Sequence, residues 1–318
     1  MNRSEIRKIG GSDISAILGM SRWKSAHSLY LHMVGELPPT EDNPAMERGR
    51  VLEPVVAGIF AANHEEFGVE ECGIVENPEY PFLIGSPDRV LLEPDAGMTR
   101  MITVSGLEIK TADATKMSEW GDEETDEIPR EYLLQTQWYC GLLGLPDWYV
   151  AVGFVKPNSR KICGYREYRV EFDPELFGLM RQRAVEFWET HVVPKVPPEI
   201  TEPDAATVEY YKRRERNRDA MIYSNDALEE KIEAFRLAQL QRKEAERMEE
   251  FEKVQLLEMM GKSEGIIDRH TGKNILTFKE QATTSFDHKA LCSDLELTDE
   301  VMEKYRRQSH FRVLRLAK

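Results

Sequence analysis

The sequence predicts a mixed α/β fold for residues 1–205, followed by a C-terminal region over 206–318 that is mainly helical. Apolar and β-branched residues cluster in short segments that are typical of strands, as at 82–92 and 101–111. Elsewhere, apolar residues recur at the spacing of an amphipathic helix, as at 45–62. Strand and helix patterns that alternate in this way favour a central sheet flanked by helices.

The individual helices and strands are predicted from helix-capping residues, from the spacing of apolar residues and from prolines that interrupt regular structure. Ser12 is expected to cap a helix that begins near Asp13. The acidic segment 119–130, with Pro129 near its end, is expected to be an exposed loop. The helix at 45–62 is predicted to carry its apolar side chains on one side, at Leu52, Val55, Val56, Ile59 and Phe60. The remaining predicted elements are helices at 130–143 and 174–192 and strands at 148–155 and 164–172.

The composition changes near residue 206, and this change predicts the domain boundary. From 206 to 262 the chain is rich in Lys, Arg, Glu, Gln and Leu and contains no proline, which indicates a long amphipathic helix or a helical hairpin. A small α+β tail is predicted after it, with strands at 275–280 and 282–287 and a helix near 295–306. The basic clusters of the C-terminal region over 206–318 are more typical of a charged outer helical face than of a phosphate-binding surface.

Composition also limits the class of protein. A chain of 318 residues with 41% hydrophobic residues can bury a substantial core. No segment approaches the roughly 20 apolar residues of a membrane span, and the polar N-terminus lacks the apolar core of a signal peptide. The cysteines lie far apart without a C-x-x-C pair, which favours reduced thiols at Cys72, Cys140, Cys163 and Cys292. We therefore expect a cytoplasmic protein without a membrane partner.

The net charge of −15 is unusual for a protein that binds nucleic acid. Proteins that hold phosphates generally carry a basic surface. An acidic chain can still present a basic groove, because the field near a ligand depends on the local charges. Binding to DNA therefore requires cations concentrated at one site.

Two short motifs carry the predicted chemistry. Ser86-Pro87-Asp88 occurs in the first predicted strand segment, and Glu108-Ile109-Lys110 occurs in the second. Because side chains alternate along a strand, Glu108 and Lys110 project from the same face. If the segment that bears Asp88 lies beside them, two carboxylates and one ammonium group meet in a small volume. Oxygen ligands suit Mg²⁺ or Mn²⁺, and Lys110 can orient or deprotonate a water molecule beside the cation.

Each motif also has an ordinary structural interpretation. Glu-x-Lys is common on solvated strand faces, and Ser-Pro-Asp is often a turn. Glu53 could add a metal ligand from the helix at 45–62 or be an exposed helical glutamate. Gln135 and Tyr139 lie four residues apart, which places both on one helical face, either beside the site or in the core.

The resemblance to a known family rests on five segments in a fixed order. GGSDISAILG, RGRVLEP, GSPDRV, LEIKT and EYLLQTQWY occur over about residues 5–200. Together they resemble the YqaJ-like viral recombinase family, which is related to lambda exonuclease within the PD-(D/E)XK nuclease superfamily. The resemblance implies a restriction-endonuclease-like core, with a central mixed sheet flanked by helices. It also implies a processive, Mg²⁺-dependent 5′-to-3′ exonuclease that acts on double-stranded DNA ends and leaves 3′ single-stranded tails.

The same resemblance implies partners and residue roles. Relatives are commonly ring-shaped trimers and are paired with a single-strand annealing protein in phage recombination. Metal ligands are implied at Glu53, Asp88, Glu108 and the backbone carbonyl of Ile109. Lys110 matches the catalytic lysine, while Gln135 and Tyr139 match the Q-x-x-x-Y pattern behind the active site.

A 5′-phosphate pocket is also implied. Ser12 and Ser86 match its serine positions, and Lys116 matches a basic position. Arg7 is the best candidate for the remaining arginine, although its spacing to Ser12 is shorter than in lambda exonuclease. Paired cations would favour a strand end, because a terminal phosphate is more negative than an internal one. The alternative interpretation of Arg7 and Lys116 is an unpaired surface charge.

Two other functions compete with the exonuclease. An endonuclease on the same core would cut covalently closed circles that have no ends. A non-catalytic DNA-binding or assembly protein would use the long C-terminal helix for contacts. The second alternative leaves unexplained why the acids and the lysine are all present.

Overall fold

The computed structural model describes residues 8–38, 42–123, 125–157, 159–215, 220–282 and 303–304. Arg7, Cys292, most of the predicted helix near 295–306 and nearly all of the predicted strand at 282–287 lie outside these ranges. The chain divides into two compact units, Met1–Arg214 and Glu215–Lys318.

A mixed five-stranded sheet forms the centre of the first unit. The strands of this unit are β1 Gly68–Glu71, β2 Val75–Glu76, β3 Ile84–Gly85, β4 Arg89–Pro94, β5 Met101–Asp113, β6 Asp147–Val155 and β7 Ile162–Glu171. The strand order in the five-stranded sheet is β1-β4-β5-β6-β7. Strands β5 and β6 are parallel, and the other neighbouring pairs are antiparallel. Strands β2 and β3 form a separate antiparallel pair.

Helices cover both faces of this sheet, which confirms the predicted fold class. Val56 and Phe60 of one helix pack with Leu107 and Ile109 on one face. Alternate residues of the neighbouring strand, such as Val150, belong to a different cluster on the other face. The helices of this unit are α1 Gly11–Ile17, α2 Ala26–Met33, α3 Pro44–Asn63, α4 Arg130–Leu143, α5 Pro174–Phe187 and α6 Ala205–Arg213.

Several sequence predictions are confirmed within the first unit. The helix at 45–62 is α3, which begins after the cap Asn43 and contains Pro44 in its first turn. The helix at 130–143 is α4, and it ends at Gly144 in the left-handed conformation. The predicted strands at 101–111, 148–155 and 164–172 correspond to β5, β6 and β7.

Other local predictions are wrong. Ser12 is not the cap of α1: Gly10 holds that position, and the Asp13 carboxylate accepts a hydrogen bond from the Gly10 amide. Val55 of α3 is 49% exposed and is not part of the buried side. The segment 82–92 is not one strand, because Ser86-Pro87-Asp88 separates β3 from β4. Pro87 lacks the amide hydrogen that a continuous ladder would need.

Two further differences concern helices. Helix α2 was not predicted. The helix predicted at 174–192 is α5, which ends at Phe187 and continues as a π-helical turn over Trp188–Val192.

The connection between β4 and β5 is a short turn that follows the Pro94–Met101 pair directly. Within this turn, the Asp95 carboxylate accepts hydrogen bonds from the amide and the hydroxyl of Thr99.

Helix α6 belongs to the first unit because polar contacts attach it to α2. The Asp204 carboxylate accepts hydrogen bonds from the Ser25 amide at 2.6 Å and from the Ser28 hydroxyl. His27 and Tyr211 are joined at 3.0 Å. The first compact unit therefore ends after α6, at Arg214, and not at the composition change near residue 206.

The second unit contains the predicted long helix. Helix α7 spans Asp226–Met260, is capped by Asn225 and ends at Gly261, whose φ is 58°. A short antiparallel pair follows, formed by β8 Gly265–Ile267 and β9 Asn274–Thr277. Several apolar side chains of α7 are exposed, among them Ile232, Met248, Phe251 and Leu256. Among the described residues, no helix has the length and apolar character needed to cross a bilayer.

The contact between Gly106 and Trp148 provides a test of the sheet packing. A Cβ added at Gly106 would lie 2.2 Å from the fully buried Trp148 ring. We expect Gly106→Ala to destabilise the protein by about 1–3 kcal/mol, because the ring has no free space into which it can move. Gly58→Ala is the matched control, since a Cβ at this exposed position in α3 meets nothing within 4 Å.

The control should raise stability by about 0.5–1 kcal/mol, because alanine restricts the unfolded chain and favours the helix. Urea denaturation followed by circular dichroism measures both variants. Equal stability of the two variants would contradict the packing described here.

Candidate active site

One cavity of the first unit collects most of the residues that the sequence singles out. Its volume is about 740 Å³. Helices α1, α3 and α4, strand β5 and the 3₁₀ turn Ala114–Glu119 contribute to its walls. The predicted site residues that line it are Ser12, Glu53, Ser86, Asp88, Glu108, Ile109, Lys110, Lys116 and Gln135.

Strand pairing places Asp88 beside the Glu-Ile-Lys motif. The Asp88 position directly precedes β4, whose first residue Arg89 pairs with Leu107 of β5. The Asp88 Oδ2 atom accepts a hydrogen bond of 2.8 Å from the Ile109 amide. Because Ile109 is the residue between Glu108 and Lys110, this hydrogen bond holds the Asp88 carboxylate beside both of them. The two motifs therefore form one site.

Glu108 is the buried centre of this site. It is 2% exposed, and its Oε1 atom accepts a hydrogen bond from the Lys110 ammonium group. The same oxygen accepts a second hydrogen bond of 2.8 Å from Nε2 of Gln135. Lys110 also donates to Oε1 of Gln135 at 3.2 Å. The structure thus brings the predicted residues together, while their catalytic roles remain predictions.

Lys110 is held as a cation. Burial of the ammonium group lowers its pKa, but the charges of Glu108 and Asp88 oppose this effect and outweigh it. The pKa of Lys110 therefore lies above its ordinary value, and the side chain is protonated at neutral pH. The Tyr132 ring, whose centroid is 4.8 Å from the Lys110 nitrogen, adds a cation–π contact.

Tyr139 does not contact the cavity, although it matches the catalytic pattern. Its side chain is fully buried. Its hydroxyl accepts a hydrogen bond of 2.9 Å from Gln135 and lies 3.3 Å from the backbone carbonyl of Ser86. Tyr139 therefore lies behind Gln135 and holds it in place, and its contribution to catalysis stays a prediction.

Glu53 lies on the cavity wall and has its own cationic partner. Its Oε1 atom accepts a hydrogen bond of 3.1 Å from Arg89, and that guanidinium also donates to the backbone carbonyl of Asp88. Arg89 therefore links α3 to the segment that bears Asp88. The Glu53 carboxylate is available from the cavity, but in this arrangement it is turned toward Arg89.

Three of the four predicted phosphate-binding residues can be located in the structure. Ser12, Ser86 and Lys116 all line the cavity. Arg7 lies outside the described residues. Sequence reasoning missed two arginines of the same cavity, Arg22 and Arg48. Arg48 belongs to the RGRVLEP segment, the same segment that carries Glu53.

The two missed arginines differ in their partners. Arg22 donates to Glu119 at 2.6 Å and forms an ion pair with Glu131 at 2.7 Å. These carboxylates raise the pKa of the Arg22 guanidinium above its ordinary value. The buried Nε atom of Arg48 has no hydrogen-bond partner among the described residues. Arg48 is therefore a cavity cation with unused hydrogen-bonding capacity.

The donor set fits a hard divalent cation. Mg²⁺ is commonly bound through one or two carboxylates and retains several water molecules. Asp88, Glu108 and the backbone carbonyl of Ile109 would supply oxygen ligands, with Glu53 as a further carboxylate on the wall. The described residues contain no ready cluster of three His, Cys, Asp or Glu side chains around a metal position. Glu53, Asp88 and Glu108 therefore do not surround one metal position in this structure, and their roles as metal ligands stay predictions.

Comparison with known proteins defines the family. The sequence model of the YqaJ-like viral recombinase domain matches residues 3–144. A protein of Bacillus subtilis (strain 168), described as uncharacterized protein YqaJ, is 30% identical over 308 residues. The match covers 96% of this chain and 89% of that protein. The chain therefore belongs to the YqaJ-like viral recombinase family, as its motifs predicted.

Solved structures resemble part of the chain. The alkaline exonuclease LHK-Exo from Laribacter hongkongensis matches with 19% identity and a TM-score of 0.45, over 59% of this chain and 90% of that chain. A phage related exonuclease from Haemophilus somnus 129PT matches with 14% identity and a TM-score of 0.44, over 59% and 96% of the two chains.

The hydroxyl of Tyr139 provides a test of the network behind the cavity. Tyr139→Phe leaves Nε2 of Gln135 with one partner fewer inside the core. We expect a loss of about 1–3 kcal/mol in stability, because a buried donor loses its acceptor. Chemical denaturation of the purified variant measures this loss.

Tyr168→Phe is the matched control. Its buried hydroxyl donates to the backbone carbonyl of Gly121 at 2.8 Å, and that carbonyl also accepts a hydrogen bond from Arg166. No acceptor is left without a partner, so the expected cost is about 0.5–1.5 kcal/mol. A larger loss for Tyr168→Phe than for Tyr139→Phe would contradict the network.

Proposed function

We propose that this protein is a Mg²⁺-dependent exonuclease that degrades linear double-stranded DNA in the 5′-to-3′ direction. The observation that carries the proposal is the meeting of Asp88, Glu108 and Lys110 in one cavity. Membership in a viral recombinase family supports a DNA substrate. The names of the exonucleases that the fold resembles agree with this choice.

The residues divide the chemistry between them. Asp88 and Glu108 would hold the cation, which when bound would supply an activated water and neutralise charge on the scissile phosphate. Lys110 would stabilise negative charge on the phosphate oxygens as they approach the transition state. Gln135 would keep Glu108 and Lys110 in position, because it bonds both of them.

Selection of a strand end would come from the cations and hydroxyls of the wall. Ser12, Ser86 and Lys116 face the same cavity as the carboxylates. A 5′-terminal phosphate carries more negative charge than an internal one, so it gains more from a nearby ammonium and hydroxyl donors. Arg48 would add charge-assisted hydrogen bonds to this group.

The wider role follows from the family. Digestion of the 5′ strand would leave 3′ single-stranded tails for recombination by strand annealing. We propose a single-strand annealing protein as partner and a homo-oligomer, a trimer by resemblance, as the working form. Mn²⁺ would replace Mg²⁺, since both prefer oxygen ligands.

One assay tests activity, polarity and end preference together. Purified protein is incubated with Mg²⁺ and linear duplexes labelled at either the 5′ or the 3′ end, with and without a 5′-phosphate. We expect early release of the 5′ label as mononucleotide and faster digestion of the phosphorylated duplex. Cutting of covalently closed circles at a similar rate would instead identify an endonuclease.

The role of Lys110 is tested by its removal. Lys110→Ala should lower the rate of duplex digestion by at least roughly 100-fold, because the transition state loses the charge of the ammonium group. DNA binding should change little, whereas stability should fall because the buried Glu108 carboxylate loses a partner. Lys161→Ala, at an exposed lysine outside the cavity, is the control and should retain the parental rate.

Lys110→Gln is included because Lys110→Ala leaves the buried Glu108 carboxylate with one donor fewer. Glutamine can still donate to Glu108, so it separates a folding defect from a catalytic one. Circular dichroism confirms that each variant is folded. Digestion at the parental rate by folded Lys110→Ala would disprove the catalytic assignment.

Metal binding by Glu108 is a separate prediction. Glu108→Gln should weaken Mg²⁺ binding at least about tenfold, because a neutral amide replaces a charged ligand; loss of an outer partner alone costs 10–100-fold at metal sites. Isothermal titration calorimetry measures the affinity. Glu47→Gln, at an exposed glutamate paired with Arg160, is the control. Unchanged Mg²⁺ affinity in Glu108→Gln would remove Glu108 from the ligand set.

A further inference from the structure

Trp23 differs from the other tryptophans of the chain. It is 65% exposed, although it lines the cavity. Trp120, Trp138 and Trp148 are buried, and Trp188 stacks on Phe82 with a centroid distance of 4.6 Å. A large exposed aromatic ring at a cavity wall is unexpected from burial alone, and such rings are common where one face binds a ligand.

The loop that bears Trp23 is anchored on both sides. Arg22 is bound to Glu119 and Glu131, and Lys24 donates to Asp13 at 2.8 Å. The hydroxyl of Ser21 accepts hydrogen bonds from the amides of residues 23 and 24. The backbone under the ring is therefore fixed before any ligand binds, which lowers the entropy cost of binding.

Two cations lie close to the ring. The Arg22 guanidinium is 5.8 Å and the Lys116 ammonium 5.5 Å from the ring centroid. Lys116 is one of the proposed 5′-phosphate ligands. A nucleotide whose phosphate reaches Lys116 would therefore bring its base close to the exposed indole of Trp23.

We propose that Trp23 is a stacking platform for the nucleobase at the 5′ end of the bound DNA strand. The proposal rests on the proposed function, since it takes the cavity to hold a strand end. Every base has a π-face, so such a platform stabilises the terminal nucleotide without selecting a sequence. A base can stack on Trp23 only when it is not paired with the opposite strand. Stacking on Trp23 would therefore favour an open duplex end.

The test compares ends with and without a base. Full-length protein is mixed, in EDTA so that no cleavage occurs, with 5′-phosphorylated duplexes that carry a short 5′ overhang. One duplex ends in 2-aminopurine and the matched duplex ends in an abasic residue. Fluorescence anisotropy gives the Kd of each, and 2-aminopurine emission reports stacking. The variants are Trp23→Leu, which is apolar without a ring, and Trp23→Phe, which keeps a smaller ring.

The parental protein should bind the base-bearing end about tenfold more tightly than the abasic end, as expected for one base on one aromatic side chain. Trp23→Leu should remove this difference, and Trp23→Phe should retain part of it. Emission of 2-aminopurine should fall on binding to the parental protein and stay unchanged with Trp23→Leu.

Equal losses of affinity for both ends in Trp23→Leu would overturn the platform, because the effect would not pass through the base. No loss at all would overturn it as well. Digestion of the labelled duplexes with Mg²⁺ is measured in parallel on the parental protein. Absence of digestion rejects the proposed function, whereas digestion without discrimination of the abasic end rejects the platform alone.

Discussion

The buried charge of Glu108 is the constraint on which the site depends. A carboxylate that is 2% exposed is stable only when partners replace the water it has lost. Lys110 and Gln135 supply these partners from β5 and α4. Since Gln135 is in turn held by Tyr139, the helix and the strand cannot shift independently without exposing a poorly compensated charge. The same contacts that allow the charge to be buried therefore fix the geometry of the cavity.

The net charge of −15 makes the distribution of charge inside the cavity important. The cavity wall carries Arg22, Arg48, Lys110 and Lys116 among its acids. The charge of Arg22 is largely neutralised by Glu119 and Glu131, so its main role is to hold its loop in place. Arg48 and Lys116 are the cations that we propose for binding a phosphate. The acids of the lining are Glu53, Asp88, Glu108, Asp113 and Glu119, so five carboxylates face four cations and the cavity is not a basic groove.

The sequence predicted those parts of the site that depend on local geometry. Alternation along one strand placed Glu108 and Lys110 on one face, and helical spacing placed Gln135 and Tyr139 together. It could not predict that Tyr139 faces the core, because that depends on how α4 is rotated over the sheet. Helix α2 was missed since nearly all its side chains are buried, which removes the periodic pattern. Its polar His27 is satisfied by residues 198 and 211, which only the tertiary fold brings near.

Helix α4 joins the core and the site, so stability and function are coupled through it. Trp138 is fully buried and donates to the backbone carbonyl of Ile84 at 2.8 Å, which attaches the helix to β3. Three residues earlier in the same helix, Gln135 faces the cavity. The segment 86–88 directly follows β3, so one hydrogen bond from the core also locates the strand end that presents Asp88. A change that loosens Trp138 would therefore displace both the glutamine and the aspartate, even though neither touches the indole ring.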